Sequence, residues 1–405
     1  AGGNERVLMK ESLPDSLVNV AWSPDGNWIA VIVGTTVGGL QARIELISPD
    51  GKTKQPLTTE RWFYFARFEW LPDMSGIITS AQKSDAPRNQ LWFISYPDGR
   101  GTAITSDLTH YGSPSLSADG KTLLAVQGQE RPRLWRVDLA TGDAVPITDE
   151  RSASTPWFFH DITPDGALLY QTAEGGSSDI WSMVPGGSPP KRVTDDPVSE
   201  YSPSVPRSGE PIFFQVENER GIELWSTDRN GGSRRRIAAL PPANTDIATS
   251  PDGRWVLYPV PGQLLRFSTA DGSQRVLSQL PPEYTAYSPD GTKIAFCVRE
   301  SPRRRIVVID AESGALLQEL PRTPEQYSPR IAWAPDGKSL FVKQLRDGIQ
   351  NIWSLPLDGS APRQFTQFTD VGTAIGAFRV TPDGKSLYVG RAAVSSDVVL
   401  ITGFR

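Results

Sequence analysis

The 405 residues exceed the roughly 250 to 300 at which one hydrophobic core stops growing, so they predict either several domains or a chain of like units. Lysine and arginine number 41 against 46 aspartates and glutamates, a formal charge of −5 with no long run of either sign, which excludes the basic stripe of a nucleic-acid binder. The single cysteine, Cys297, excludes an intrachain disulfide; no apolar run reaches the roughly 18 residues of a membrane helix, and the opening AGGNERVLMK lacks a signal-peptide pattern, so no membrane insertion is expected.

In chain order, one phrase keeps returning: AWSPDG at Ala21, EWLPDMSG at Glu69, SLSADG at Ser115, DITPDG at Asp161, SVPRSGE at Ser204, ATSPDG at Ala248, AYSPDG at Ala286, AWAPDG at Ala332 and RVTPDG at Arg379. The turns fall at about residues 24, 72, 118, 164, 207, 251, 289, 335 and 382, a mean period of about 45 that lies within the range of propeller blades. Pro presets φ, Asp bonds the backbone beyond it and Gly takes the positive φ, so each phrase reverses the chain between two strands. An apolar strand follows each turn, from WIAVIV at Trp28 to SLYVGR at Ser386. Next comes a strand carrying a tryptophan in five units (Trp92, Trp135, Trp181, Trp225 and Trp353), then a glycine turn and a short strand such as QPLT at Gln55.

Four antiparallel strands per unit, A to D, with no sustained helical periodicity, describe an all-β chain. Each such sheet has two apolar faces, and stacking like sheets around an axis buries both, which is a β-propeller. On this reading Trp22, Trp70, Tyr287 and Trp333, just before the turns, pack between blades. The ninth unit ends in DVVLITGFR without a D strand, whereas ERVLM at Glu5–Met9 resembles the D strands KRVT and QRVL. The sequence therefore predicts residues 1–405 as a single propeller domain of nine four-stranded blades, the N-terminal strand completing the last and hiding both edges. An eight-bladed ring with one degenerate unit outside it is the alternative; the fifth unit, with PRSGE for its turn, is the weakest copy.

Signatures of chemistry are sparse. There is no G-x-S-x-G or G-x-G-x-x-G, and the Gly-Lys-Ser/Thr triplets at Gly51, Gly120, Gly337 and Gly384 sit in hairpins without the upstream glycine of a phosphate loop. Only two histidines, His110 and His160, are present, so neither a zinc site nor any cofactor is implied. The acidic pair Asp195 and Asp196 falls in a solvated D-to-A connection, and the arginine triplets at Arg234 and Arg303 are short and isolated.

One asymmetry remains. B-to-C loops and D-to-A connections share the face of a propeller that usually carries binding. Units two to four place RWFYF, HY and PWFFH in successive D-to-A connections, with Phe65, Tyr111 and Trp157 at equivalent positions. The candidate ligand or partner residues are thus Trp62, Tyr64, Phe65, His110, Tyr111, Trp157, Phe159 and His160, expected to line one sector of the channel mouth. Inter-blade wedging is the competing reading of the same rings. A non-enzymatic module for a peptide, glycan or protein partner, expected to be monomeric, is the first functional reading. A hydrolase or lyase in the axial channel and a rigid scaffold are the alternatives. Converging Asp, Glu and Arg on the axis would favour catalysis, and a weakly charged aromatic sector would favour binding.

The W-S-P-D-G phrase with a following D-I-W strand resembles the WD40-like repeats of TolB and of the propeller half of the prolyl oligopeptidase and dipeptidyl peptidase family. PLTTERW at Pro56, WLPDMSGII at Trp70, LWFISYPDG at Leu91, NIWSLPLDG at Asn351 and SSDVVLI at Ser396 are similar to the C-terminal propeller regions of bacterial, acidobacterial-type transmembrane Ser/Thr kinases and winged-helix regulators. That resemblance implies a sensor or interaction module outside the membrane, periplasmic or otherwise extracytoplasmic. Without a kinase H-R-D or D-F-G signature or a basic recognition helix, neither parent activity carries over to these residues.

Overall fold

The computed structural model describes the chain apart from residues 1–4, 13–14, 36–40, 61, 84–87, 108, 149–155, 157, 173–176, 244, 301–302, 321–326 and 405. Every described element is a β-strand, and all pairings are antiparallel. The turn chemistry is as the sequence predicts: Ser23 Oγ donates to Asp25 at 2.6 Å, that carboxylate accepts the Asn27 amide at 3.1 Å, and Gly26 takes φ 74°. The same Ser–Asp bond recurs at Ser117 and Asp119 and at Ser288 and Asp290, and it holds these turn carboxyls below the ordinary carboxylate range.

Units one and two each form a sheet, joined edge to edge by the single pair Ala42↔Trp62. Units four to eight each form a separate four-stranded sheet in the order A-B-C-D. Units three and nine do not. The B and C strands of unit three run on as one strand, Thr122–Asp138, and those of unit nine as Ser386–Thr402. These two strands pair along their whole length, from Thr122↔Thr402 to Asp138↔Ser386, as a ribbon about 55 Å long. In unit nine the segment Ala392–Ser396 (AAVSS) carries no glycine or proline to reverse the chain, whereas the strand of unit three runs on through Gly128 and Pro132.

The exchange redistributes the blades. At one end of the ribbon, Thr373–Val380 (A of unit nine) and Ala144–Pro146 (D of unit three) flank it to make a complete four-stranded hybrid sheet. One face of that sheet packs Leu134 and Ala377 against Phe159, Ile162 and Leu168 of unit four. Its other face packs Ile375, Phe378 and Val389 against Phe341 and Ile352 of unit eight. Four further cores join units four to five, five to six, six to seven and seven to eight. The six sheets therefore close a ring.

At the other end of the ribbon, His110–Leu116 adds to form a three-stranded sheet that packs Leu123 and Ala125 against Leu71, Ile78 and Leu91 of unit two. With the first two sheets it makes an open arc of three. The expected nine-bladed closure of residues 1–405, and its eight-bladed alternative, are thus corrected to a ring of six plus an arc of three. Glu5–Met9 forms no strand and does not complete unit nine; Leu8 and Met9 instead cover Ile29, Val31 and Val33 on the outer face of the first sheet. Because the arc is open, Trp22 is 60% exposed instead of packed between blades, whereas Trp70 and Trp333 are buried as predicted.

Candidate binding site on the ring axis

The A strands are innermost in a propeller, so their side chains meet on the axis. His160, Asp246 and Arg330 come from units four, six and eight, alternate sheets of the ring, and converge at its centre. Asp246 lies 3.3 Å from His160 Nδ1 and 3.3 Å from Arg330 Nη2, and accepts Ser202 Oγ at 3.4 Å. Burial alone would raise the Asp246 carboxyl, but the His160 hydrogen bond and the charges of Arg330 and Arg379 outweigh it and hold the group well below the usual carboxylate range. The Arg330 guanidinium stacks 5.0 Å from the Tyr284 ring centroid and 5.9 Å from that of Phe158, which is half exposed. Ser202 and Tyr284 hold positive φ values of 53° and 38°, a costly backbone for residues with a Cβ, at the bulges that aim these side chains.

A second tier lies toward the turns. Asp161 accepts Ser204 Oγ at 3.1 Å, the Val205 amide at 3.0 Å and the Ile162 amide at 2.9 Å. Burial raises its carboxyl despite the nearby Arg379 charge. Burial, and then the like charge of Arg330, pull the Arg379 guanidinium down. Beneath this tier a funnel of about 260 Å³ opens between the turns, rimmed by Pro164, Pro206, Pro251, Pro289, Pro335 and Pro382, one from each sheet of the ring. On the opposite loop face, a cleft of about 590 Å³ runs from Asp246 and Tyr284 between Pro259, Pro261, Pro281 and Pro282.

Of the eight residues singled out from the sequence, the structure brings His160 to this axis, with its neighbour Phe158 at the mouth. Trp62 and Phe65 are fully buried between the first two sheets, 4.9 Å apart, with Trp92 edge-on to Trp62. Phe159 is likewise fully buried, at the seam between the hybrid sheet and unit four. Tyr111 is buried in the arc with its hydroxyl on Asp107 (2.7 Å) and Gln127 (2.8 Å), while Tyr64 and His110 lie on the arc surface. Trp157 lies outside the described residues. The continuous aromatic sector is therefore not formed, because the exchange puts units two and three's first half in the arc and unit four in the ring. Asp161, Asp246, Tyr284, Arg330 and Arg379 were missed. A signal existed for two of them: Asp161 and Arg379 open their turn phrases where four other units carry Ala.

The protein assigned as TolB from Agrobacterium tumefaciens has a solved structure that matches this one with a TM-score of 0.52 at 16% identity, over 65% of this chain and 99% of that one. The ring is a TolB-like β-propeller. In sequence, a protein assigned as dipeptidyl-peptidase 5 from Aspergillus clavatus is 22% identical over 402 residues, 86% of this chain but 55% of that relative's length. An uncharacterized protein of Agrobacterium fabrum is 26% identical over 246 residues, covering 56% of this chain and 82% of its own. The Tol-Pal system protein TolB of Anaeromyxobacter dehalogenans is 28% identical over 108 residues, about a quarter of each chain. No protein-family model matches. Among the described residues, no helix of the propeller or arc is long and apolar enough to cross a membrane.

Proposed function

We propose that the chain is a non-enzymatic, extracytoplasmic interaction module that takes a peptide, glycan or protein partner on the loop face of its propeller. On this reading it acts as a monomeric sensor unit of a membrane-anchored bacterial kinase or transcriptional regulator. The observation that carries the reading is the stack of Phe158, Arg330 and Tyr284 at the loop-face mouth, beside a proline-walled cleft. Two rings on one fixed cation, Phe158 half exposed and Tyr284 partly buried, make an anchor for an aromatic, sugar or amide face. Beneath it Asp246 is held ionised by His160 and Arg330, which makes it a poor proton acceptor. The test is a binding screen of peptides and oligosaccharides against wild type and a Phe158→Ala, Tyr284→Ala double variant. A ligand lost from the folded variant supports the reading; equal binding by both overturns the site.

A channel hydrolase or lyase is the second reading, favoured by the convergence of Asp161, Asp246, Arg330 and Arg379 on the axis and by the likeness to a peptidase. Turnover of a dipeptidyl or oligosaccharide substrate that disappears in Asp161→Asn would establish it.

A further inference from the structure

We propose that the turn-face funnel is a second binding site, separate from the loop-face stack, and that it takes a single oxyanion group, a carboxylate or a phosphate, on Arg379. The funnel is lined by two arginines, Arg379 on the axis and Arg207 at the rim, against one carboxylate, Asp161. That carboxylate is already engaged: one oxygen accepts Ser204 Oγ and the Val205 amide, the other the Ile162 amide. Among the described residues Arg379 makes no ion pair, and its guanidinium donates one hydrogen bond, from Nη1 to the Phe378 carbonyl at 3.1 Å. A guanidinium has five N–H donors and prefers a forked oxyanion acceptor. The other axial carboxylate, Asp246, is taken up by Arg330 and His160. Arg379 is thus a cation at the axis with no carboxylate paired to it among the described residues.

The walls restrict what can reach it. Six prolines at the rim fix the backbone and offer no N–H donors, while Ala248, Ala286 and Ala332 present small apolar surface. The two arginines are thus the cationic groups of the lining, beside the hydroxyls of Thr249, Thr285 and Tyr287. A volume of about 260 Å³ is below that of a typical drug-sized pocket, so it admits a terminal group instead of a whole ligand. A peptide C-terminus and a phosphate share this chemistry.

Calorimetric titration of the full chain with inorganic phosphate, with a tripeptide bearing a free C-terminal carboxylate, and with its amidated form separates the two sources. Saturable binding of the free peptide but not the amide assigns a peptide C-terminus; binding of phosphate alone assigns phosphate. Either is expected to weaken roughly tenfold or more in Arg379→Gln and a few fold in Arg207→Gln. Phe158→Ala is expected to leave it unchanged, which keeps this site distinct from the loop-face reading. Should Arg379→Gln fail to fold, the exposed Arg207→Gln variant decides. No saturation by any probe at millimolar concentration, or binding indifferent to the arginine variants, overturns the proposal.

Discussion

Asp246 and Arg330 stand 84 residues apart in the chain, yet carboxylate and guanidinium meet at 3.3 Å on the axis of the ring. Their contact depends on the number of blades. With six sheets, A strands from alternate units face one another across a narrow centre; in a nine-sheet ring the same side chains would be held apart by a wider channel. Strand exchange between units three and nine thus creates the charged axis.

Breaking that pair is expected to destabilise the ring. Asp246→Ala leaves Arg330, with its side chain only 9% exposed, uncompensated, at a cost of about 3 kcal/mol. Denaturant unfolding of Asp246→Ala and of the Asp246→Ala, Arg330→Met pair checks this, because the double variant recovers part of the loss.

The seam between units four and five sets a pH dependence. Glu200 is fully buried against Arg234, and burial pushes its carboxyl up to about 7; neighbouring Asp179, buried with Arg192, rises to about 6. A carboxyl raised on folding binds its proton more tightly in the native state. Its stabilising effect is complete below the unfolded value and is lost as pH rises through the folded one. Melting temperature is therefore expected to fall between pH 5 and about 8, and Glu200→Gln to flatten that slope. An unchanged slope in the variant places its source elsewhere.

Trp62→Ala tests whether the arc has its own core. The indole is fully buried among Phe65, Trp92 and Leu57. Truncation is expected to cost about 3 to 5 kcal/mol. Hydrogen exchange should show lost protection in the first two sheets while the ring strands of units five to seven stay protected.

Gly272 marks how closely ring sheets approach. It takes φ 72°, and a Cβ there would lie 2.3 Å from the Ile237 carbonyl oxygen of the preceding sheet. Gly272→Ala combines left-handed strain with a backbone clash and is expected to cost about 2 kcal/mol or more, read as a lower denaturation midpoint. An Ala at the exposed Gly337 turn carries the strain without the clash, since nothing lies within 4 Å, and should cost less.

The turns and the strands between them were legible in the sequence because their chemistry is local: Ser23, Asp25 and Gly26 need only one another to reverse the chain. Inter-sheet burial of Trp70 and Trp333 followed equally from their place just before the turns, although the same reading failed for Trp22. Partner choice between repeats did not follow. The B strand of unit three, at Leu123, could pair with its own C strand or with that of unit nine at Ile401, since both present the same apolar alternation. Only the assembled fold, through continuous pairing of Thr122–Asp138 with Ser386–Thr402, selects the second and so fixes six blades. The site inherits that dependence. His160 was visible as a rare residue type, but its meeting with Asp246 and Arg330 is a property of ring size, and no one repeat contains it.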